Sequence, residues 1–253
     1  MQHEVLSNWK VEPQDRFLDL ILIFAGDGEA AEKGETLGLQ VRTLEVRDDP
    51  WQDINCLMGA LYCAWMAISL KPRGLAWMSP ECKTWLSFLT RKTFKRVDGC
   101  SSNILGDESK TAVLNANCSS LFIGWIAFLL HLRGCFVGIE QPLNSLLYCT
   151  PWLAPNLENA CCQRYFTSLG AFGSPTAKPL ELYTNVPGAL VHKFLLRPLP
   201  KRGELKKMAR LTCKSKGRTD GLHKSLQKSQ AYPSDFSEAI ARCCMSLLGV
   251  NQQ

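Results

Sequence analysis

No stretch of this 253-residue chain stays apolar for the roughly 18 to 20 residues that a membrane-spanning helix requires. The most apolar stretches, Cys56 to Leu70 and Leu121 to Leu130, fall short of that and read as buried core helices. An apolar signal region is also missing near the start, where Glu4, Lys10, Glu12, Asp15 and Arg16 interrupt the sequence, so no secretory signal is expected. The expectation is an intracellular protein, nuclear or cytoplasmic, with no membrane partner. Histidine is scarce, at four residues, and the twelve cysteines include no Cys-x-x-Cys pair, only the doublets Cys161/Cys162 and Cys243/Cys244. Reduced thiols are expected. The one close His/Cys pair, His131 and Cys135, has no second pair beside it, so no metal is expected. The absence of Gly-x-x-x-x-Gly-Lys-Ser/Thr argues against a P-loop nucleotidase, and there is neither an internal repeat nor a low-complexity tract.

What is present suits an ordinary globular protein: 46% hydrophobic and 21% charged residues, enough for one sizeable core. The formal charge is +6, unevenly spread. Residues 193 to 228 hold twelve Lys or Arg against two acids, Glu204 and Asp220. That segment alone therefore carries +10, leaving −4 for the rest. A basic segment beside a weakly acidic body is the electrostatic footprint of a polyanion-binding face, because neutralising phosphates releases condensed counterions. Lys201, Arg202, Lys206, Lys207, Arg210 and Lys214 are the candidate phosphate contacts, with DNA favoured over RNA. A solvated lysine-rich loop is the plain alternative.

Read in order, Phe17 to Phe24 (FLDLILIF) has the length and near-continuous apolarity of a strand buried on both faces. It ends in Ala25-Gly26-Asp27-Gly28, followed by a helical pattern over Glu29 to Leu37 and a strand over Leu39 to Val46 that delivers Glu45 near its carboxyl end. In such a βαβ unit the glycines let the backbone approach a ligand, and the acid on the second strand can take both ribose hydroxyls of a nucleoside. Residues 53 to 70 predict a helix and Gly74 to Met78 a strand running into Ser79-Pro80-Glu81-Cys82. A polar loop, Arg91 to Lys110, leads to a long apolar helix over Thr111 to Leu132, then a strand over Cys135 to Ile139 ending in Glu140-Gln141-Pro142. Cys82 and Glu140 thus reach the same edge of a parallel sheet, where open α/β sheets bind ligands. Tyr165 to Leu169 and Pro179 to Thr184 read as antiparallel strands, and the chain closes in a helix ending at Leu248, capped by Ser234 or Asp235.

The predicted class is therefore α/β: a Rossmann-like, mostly parallel sheet with helices on both faces and a small basic C-terminal insertion. One domain is expected over 1–253, with a core at 16–185, the basic segment at 186–230 and a terminal helix at 231–250.

The motif order Phe24-Ala25-Gly26-Asp27-Gly28, acid, Ser79-Pro80-Glu81-Cys82, Ile139-Glu140-Gln141-Pro142, then a helix after Tyr232-Pro233 resembles that of cytosine-5 methyltransferases. It resembles still more the uncharacterised methyltransferase-like proteins, many from dinoflagellate algae, that carry P-x-C-S/T-x-W and E-Q-P segments. The counterparts include Pro80 to Trp85, Gly106-Asp107 with Val113 and Asn117, Ser145, and Lys228 to Pro233. The resemblance spans residues 18 to 248. It implies the class I fold of S-adenosylmethionine-dependent methyltransferases, with nucleic acid as substrate.

In that family carbon 5 of cytosine, a poor nucleophile, is activated when a thiolate adds to carbon 6. The resemblance makes Cys82 that nucleophile, and Glu140 the carboxyl group that stabilises charge at ring nitrogen 3 of a flipped base. S-adenosylmethionine would lie over Phe24, Gly26 and Gly28 with its ribose on Glu45, Asp53 on the adenine side and Pro80 beside it.

Several positions depart from the family pattern. Glu81 stands where proline precedes the nucleophile, and a neighbouring carboxylate raises a thiol pKa, with Lys83 available to offset it. Leu22 replaces the acid of the first motif and Glu29 its second paired glycine, and no Gln-x-Arg-x-Arg segment occurs. About 50 residues separate the Tyr183 strand from the terminal helix, too few for a large target-recognition domain. A catalytically degenerate nucleic-acid-binding protein, or a methyltransferase on RNA or a small molecule, are therefore the alternatives. Trp77 and Trp85 read as packing residues before base-stacking platforms, and Glu45 as a surface acid beside Arg42 and Arg47 if it binds no ribose.

Overall fold

The computed structural model describes residues 16–86, 104–198 and 231–250. Six strands form one mixed sheet in the order β2-β1-β3-β4-β6-β5. The strands are β1 (Leu18–Ile23), β2 (Val41–Leu44), β3 (Leu70–Met78), β4 (Phe136–Pro142), β5 (Gln163–Ser168) and β6 (Pro179–Thr184). β1 pairs in parallel with β2 and β3, and β3 with β4, whereas β6 pairs antiparallel with both β4 and β5. The sheet is thus mixed, which corrects the mostly parallel sheet expected from the sequence. The connection from β5 to β6 is short enough for a hairpin-like return and carries no crossover helix, and parallel pairing demands such a crossover.

β1 lies inside the sheet between β2 and β3, and all six of its residues are buried, which is why it reads as a nearly continuous apolar run, broken only by Asp19, rather than an alternation. Its alternate side chains feed two cores. Ile21 and Ile23 join Ala76, Met78, Val137 and Ile139 on one face; Leu20 and Leu22 join Leu75, Trp77 and Leu182 on the other. The first face is covered by α2 (Leu57–Ser69), α3 (Thr111–Leu132) and α4 (Leu153–Asn159), and the second by α1 (Glu29–Thr36) and α5 (Ser234–Leu248). Helices on both faces agree with the expectation.

Several boundaries move. β2 covers only Val41–Leu44 of the expected Leu39 to Val46, as suits a sheet edge that pairs on one side. The helix expected from residue 53 starts at Leu57, after a 3-10 turn opened by Pro50 and the Asp49 side chain. β3 begins four residues earlier than expected, through an irregular stretch that holds Pro72 and, at positive φ, Arg73, and where the register to β1 shifts. β4 continues through Glu140-Gln141-Pro142, since β6 extends the ladder on its far side. α3 keeps its expected bounds, Thr111–Leu132, and by length and composition is apolar enough to cross a membrane, which the shorter unbroken run Leu121 to Leu130 did not show. Its inner face is packed in the first core. α5 is capped by Pro233, not by Ser234 or Asp235: the Pro233 carbonyl accepts from Phe236 and Ser237, and Asp235 instead accepts from Arg197 at 2.8 Å.

The parallel strands β1, β2, β3 and β4 all end at one edge of the sheet, and the order reverses between β1 and β3. That reversal opens the crevice in which α/β folds place ligands. Because β6 runs the other way, its start, with Lys178 just before it, lies at the same edge.

Candidate functional site

Glu140 is the best-defined feature of this edge. It lies within β4 opposite Leu182 of β6, on the face shared with Trp77, and is only 4% exposed. Two residues earlier, a Cβ at Gly138 would stand 2.5 Å from the Trp77 ring, so glycine there lets the indole lie across β4. The indole Nε1 then donates to the Tyr232 hydroxyl at 3.1 Å, and that hydroxyl donates to Glu140 Oε2 at 2.9 Å. Ser79 Oγ, just past β3, makes a short hydrogen bond to the same hydroxyl. One phenol thereby uses its proton on the carboxylate and its lone pairs on Trp77 and Ser79. Burial first, and then the Glu140 charge, push the Tyr232 pKa well up, so it remains a donor. Glu140 Oε1 is buried and has no hydrogen-bond partner among the described residues, a costly state for a carboxylate oxygen.

The Cys82 turn is strapped beside this network. Gln141 Nε2 donates to the Pro80 carbonyl at 2.6 Å, and Ser145 Oγ donates to Gln141 Oε1 at 3.0 Å. Trp85 N–H donates to the Cys82 carbonyl, Leu146 N–H to the Trp85 carbonyl, and Leu86 bridges Ser145. The Glu-Gln-Pro segment therefore holds the Pro80 to Cys82 turn through its glutamine and presents its glutamate next to it. Burial pushes the Cys82 thiol pKa up, Lys178 opposes, and Glu140 and Glu81 add to the rise. The offset comes from the charge of Lys178 and not, as expected, from Lys83: Lys83 is exposed on the turn, whereas Lys178 stands just before β6, at the same edge of the sheet. Trp77 and Trp85 are both buried, as packing residues are.

Across the β1–β3 crevice, Phe24, Gly26 and Gly28 all adopt positive φ. For Gly26 and Gly28 this is the conformation glycine supplies without strain. A Cβ at Gly28 would meet nothing within 4 Å, and one at Gly26 only the Arg47 side chain at 3.6 Å, so the turn is open to a ligand. Glu45 is not a surface acid: it is 6% exposed. Its Oε2 accepts from Gly26 N–H at 2.9 Å, while Oε1 accepts from Arg47 N–H and Nε, both at 3.1 Å. Arg42 turns to a carbonyl instead. The acid predicted on β2 and the glycine turn after β1 are thus joined directly, with Arg47 laid over the carboxylate.

Asp53 lies in the loop before α2, where its Oδ1 accepts from Asn55 N–H and Nδ2, both at 2.9 Å, and its backbone touches Gly59, whose Cβ would stand 2.1 Å from the Asp53 carbonyl oxygen. Pro80 is on the strapped turn. Asn117 donates to the Leu105 carbonyl at 3.0 Å and to Glu108 Oε1 at 2.8 Å, fastening the Gly106-Asp107 loop onto α3. Lys201, Arg202, Lys206, Lys207, Arg210 and Lys214 lie outside the described residues.

The residues that sequence reasoning missed are Tyr232, Ser79, Arg47 and Lys178. Tyr232 stood in a motif without a role, and nothing local marks a tyrosine 92 positions away as the partner of Glu140. Among the described residues no group of three His, Cys, Asp or Glu is placed to hold a metal ion, and the ten cysteines there are free thiols. Comparison with models of known protein families gives no match, and comparison with curated proteins gives none either.

Proposed function

We propose that this chain is an S-adenosylmethionine-dependent methyltransferase of the cytosine-5 type, with the class I methyltransferase fold, acting on nucleic acid. The observation that carries the reading is Glu140: a buried carboxylate with one oxygen held by Tyr232 and the other without a partner among the described residues, beside a cysteine brought from the end of the neighbouring strand. A flipped cytosine would donate from its amino group to such an oxygen, and its ring nitrogen 3, an acceptor, would pair with the carboxyl group through a shared proton. Cys82, as thiolate, would add to carbon 6 and make carbon 5 nucleophilic; once carbon 5 is methylated, its proton would pass to a base such as water and the carbon 6–sulfur bond would break, releasing Cys82 as thiolate. Tyr232 and Ser79 fix the Glu140 rotamer, and Gln141 fixes the turn that carries Cys82. The bound cofactor supplies an electrophilic methyl group.

The residues fit that cofactor in two respects: an open glycine turn at Gly26 and Gly28, and a buried acid at its base. The lone pairs of Glu45 that would take a ribose are occupied by Gly26 and Arg47, so Arg47, whose side chain is 59% exposed, must swing outward. Phe24, Pro80 and Asp53 would flank the cofactor.

Titration with S-adenosylmethionine in a calorimeter tests this without a guess about substrate. Micromolar binding is expected, weakened in Glu45→Ala by about 1–3 kcal/mol, the range for losing charged hydrogen bonds, and strengthened in Arg47→Ala. Labelled-methyl assays with DNA, RNA and free nucleosides then rank substrates, and Cys82→Ser is expected to abolish transfer while cofactor affinity stays near wild type.

The raised Cys82 thiol and the Arg47 cover on Glu45 favour a second reading: a catalytically degenerate nucleic-acid binder that keeps the fold. Salt-dependent binding through the basic segment, without any cofactor binding, identifies that case.

A further inference from the structure

The outer faces of α2 and α3 carry a surface that the proposed site does not use. Neither helix contains a single Asp, Glu, Lys or Arg. The inner side of α2 is filled by Gly59, Cys63, Met66 and Ala67, which leaves Leu57, Met58, Leu61 and Trp65 exposed, Leu57 to 74%. On α3 the exposed stripe is Leu114, Leu121, Trp125, Leu129 and Leu132, with Trp125 63% exposed. Successive spacings of three, four or seven place these residues along one side of the helix. The two helices are neighbours on the same face of the sheet, tied where Ser119 Oγ donates to Asn55 Oδ1 at 3.1 Å.

We propose that this face is a homodimer interface, with the α2–α3 surface of one chain packed on the same surface of a second copy. The nine exposed side chains present on the order of 1,000 Å², against roughly 800 Å² per partner in a standard interface and 300–600 Å² for the largest apolar patch of a typical monomer. Leucine, methionine and tryptophan with no charge is the composition of an interface core. A stripe without either sign of charge is complementary to itself, as two-fold pairing requires. A lipid surface would instead call for Lys or Arg along the length of the apolar face; the basic residues beside α3, Lys110 and Arg133, stand only at its two ends, and Arg133 is turned to the Ile68 carbonyl.

Sedimentation equilibrium of the full chain at micromolar concentration tests this. The expected mass is twice 28.3 kDa, falling to one chain in Trp125→Glu and in Leu121→Glu, with melting temperatures close to wild type because both positions are exposed. Phe166→Glu, an exposed apolar site on β5, is expected to leave the dimer intact. A monomeric wild type, a dimer that persists in both α3 variants, or co-flotation of the wild type with phosphatidylcholine–phosphatidylserine vesicles would overturn the proposal.

Discussion

Glu140 and Tyr232 show how one side chain gives another its chemistry. Among the described residues the phenol proton is the one hydrogen bond to the Glu140 carboxylate, so Tyr232→Phe removes it from a buried carboxylate and also takes the shared partner from the Trp77 indole and the Ser79 hydroxyl. Expected are a loss of about 1–3 kcal/mol in folding stability, read by urea unfolding, and a fall in methyl-transfer kcat with cofactor affinity unchanged. Cys82 behaves in the opposite sense to an activated nucleophile, because its burial outweighs Lys178. Its alkylation by iodoacetamide is expected to be slow at neutral pH and to accelerate only above the ordinary thiol range, and Lys178→Ala should move that acceleration to still higher pH. A rate profile of the Cys82 peptide by mass spectrometry checks both.

At the scale of the element, the boundaries that shifted were those set by neighbours and not by local pattern. Cys82 and Glu140 were legible as a pair because each follows an apolar run of strand length, and the parallel strands of this fold end at a common edge. The extension of β4 through Pro142 was not legible, since it depends on β6 lying alongside it. The start of α2 is set by contact: a Cβ on Gly59 would stand 2.1 Å from the Asp53 carbonyl oxygen, which is backbone and cannot rotate away. Gly59→Ala is therefore expected to cost about 1–3 kcal/mol by overpacking, although alanine is the better helix former, and a thermal melt will show the sign. A rise in melting temperature would mean that the loop at Asp53 yields freely.

For the whole molecule, the cysteines make stability depend on pH. Burial pushes Cys63, Cys162 and Cys243 up to about 12 and Cys135 up to about 11, from an ordinary 9.0. Between those values the folded chain holds protons that the unfolded chain has released. The stabilisation is complete below pH 9.0 and is lost as pH rises toward 11 to 12, by up to about 1.4 kcal/mol per pH unit for each thiol. Denaturant midpoints under reducing conditions are expected to fall steeply above the ordinary thiol value and to flatten below it; a midpoint constant through that range would contradict the burial of these thiols.

The sequence by itself determined the α/β class, the buried strand β1, the glycine turn at Gly26 and Gly28, the acid at the end of β2, and the arrival of Cys82 and Glu140 at one edge. These follow from local periodicity and from the rule that parallel strands end together. Only the tertiary structure decided that the sheet is mixed, that Tyr232 and Ser79 complete the Glu140 network, that Arg47 covers Glu45, and that Lys178 is the charge facing Cys82. Each of these joins residues far apart in the chain through hydrogen bonds or fields that act across space, and a pattern that repeats every two or every 3.6 residues carries no record of such a partner.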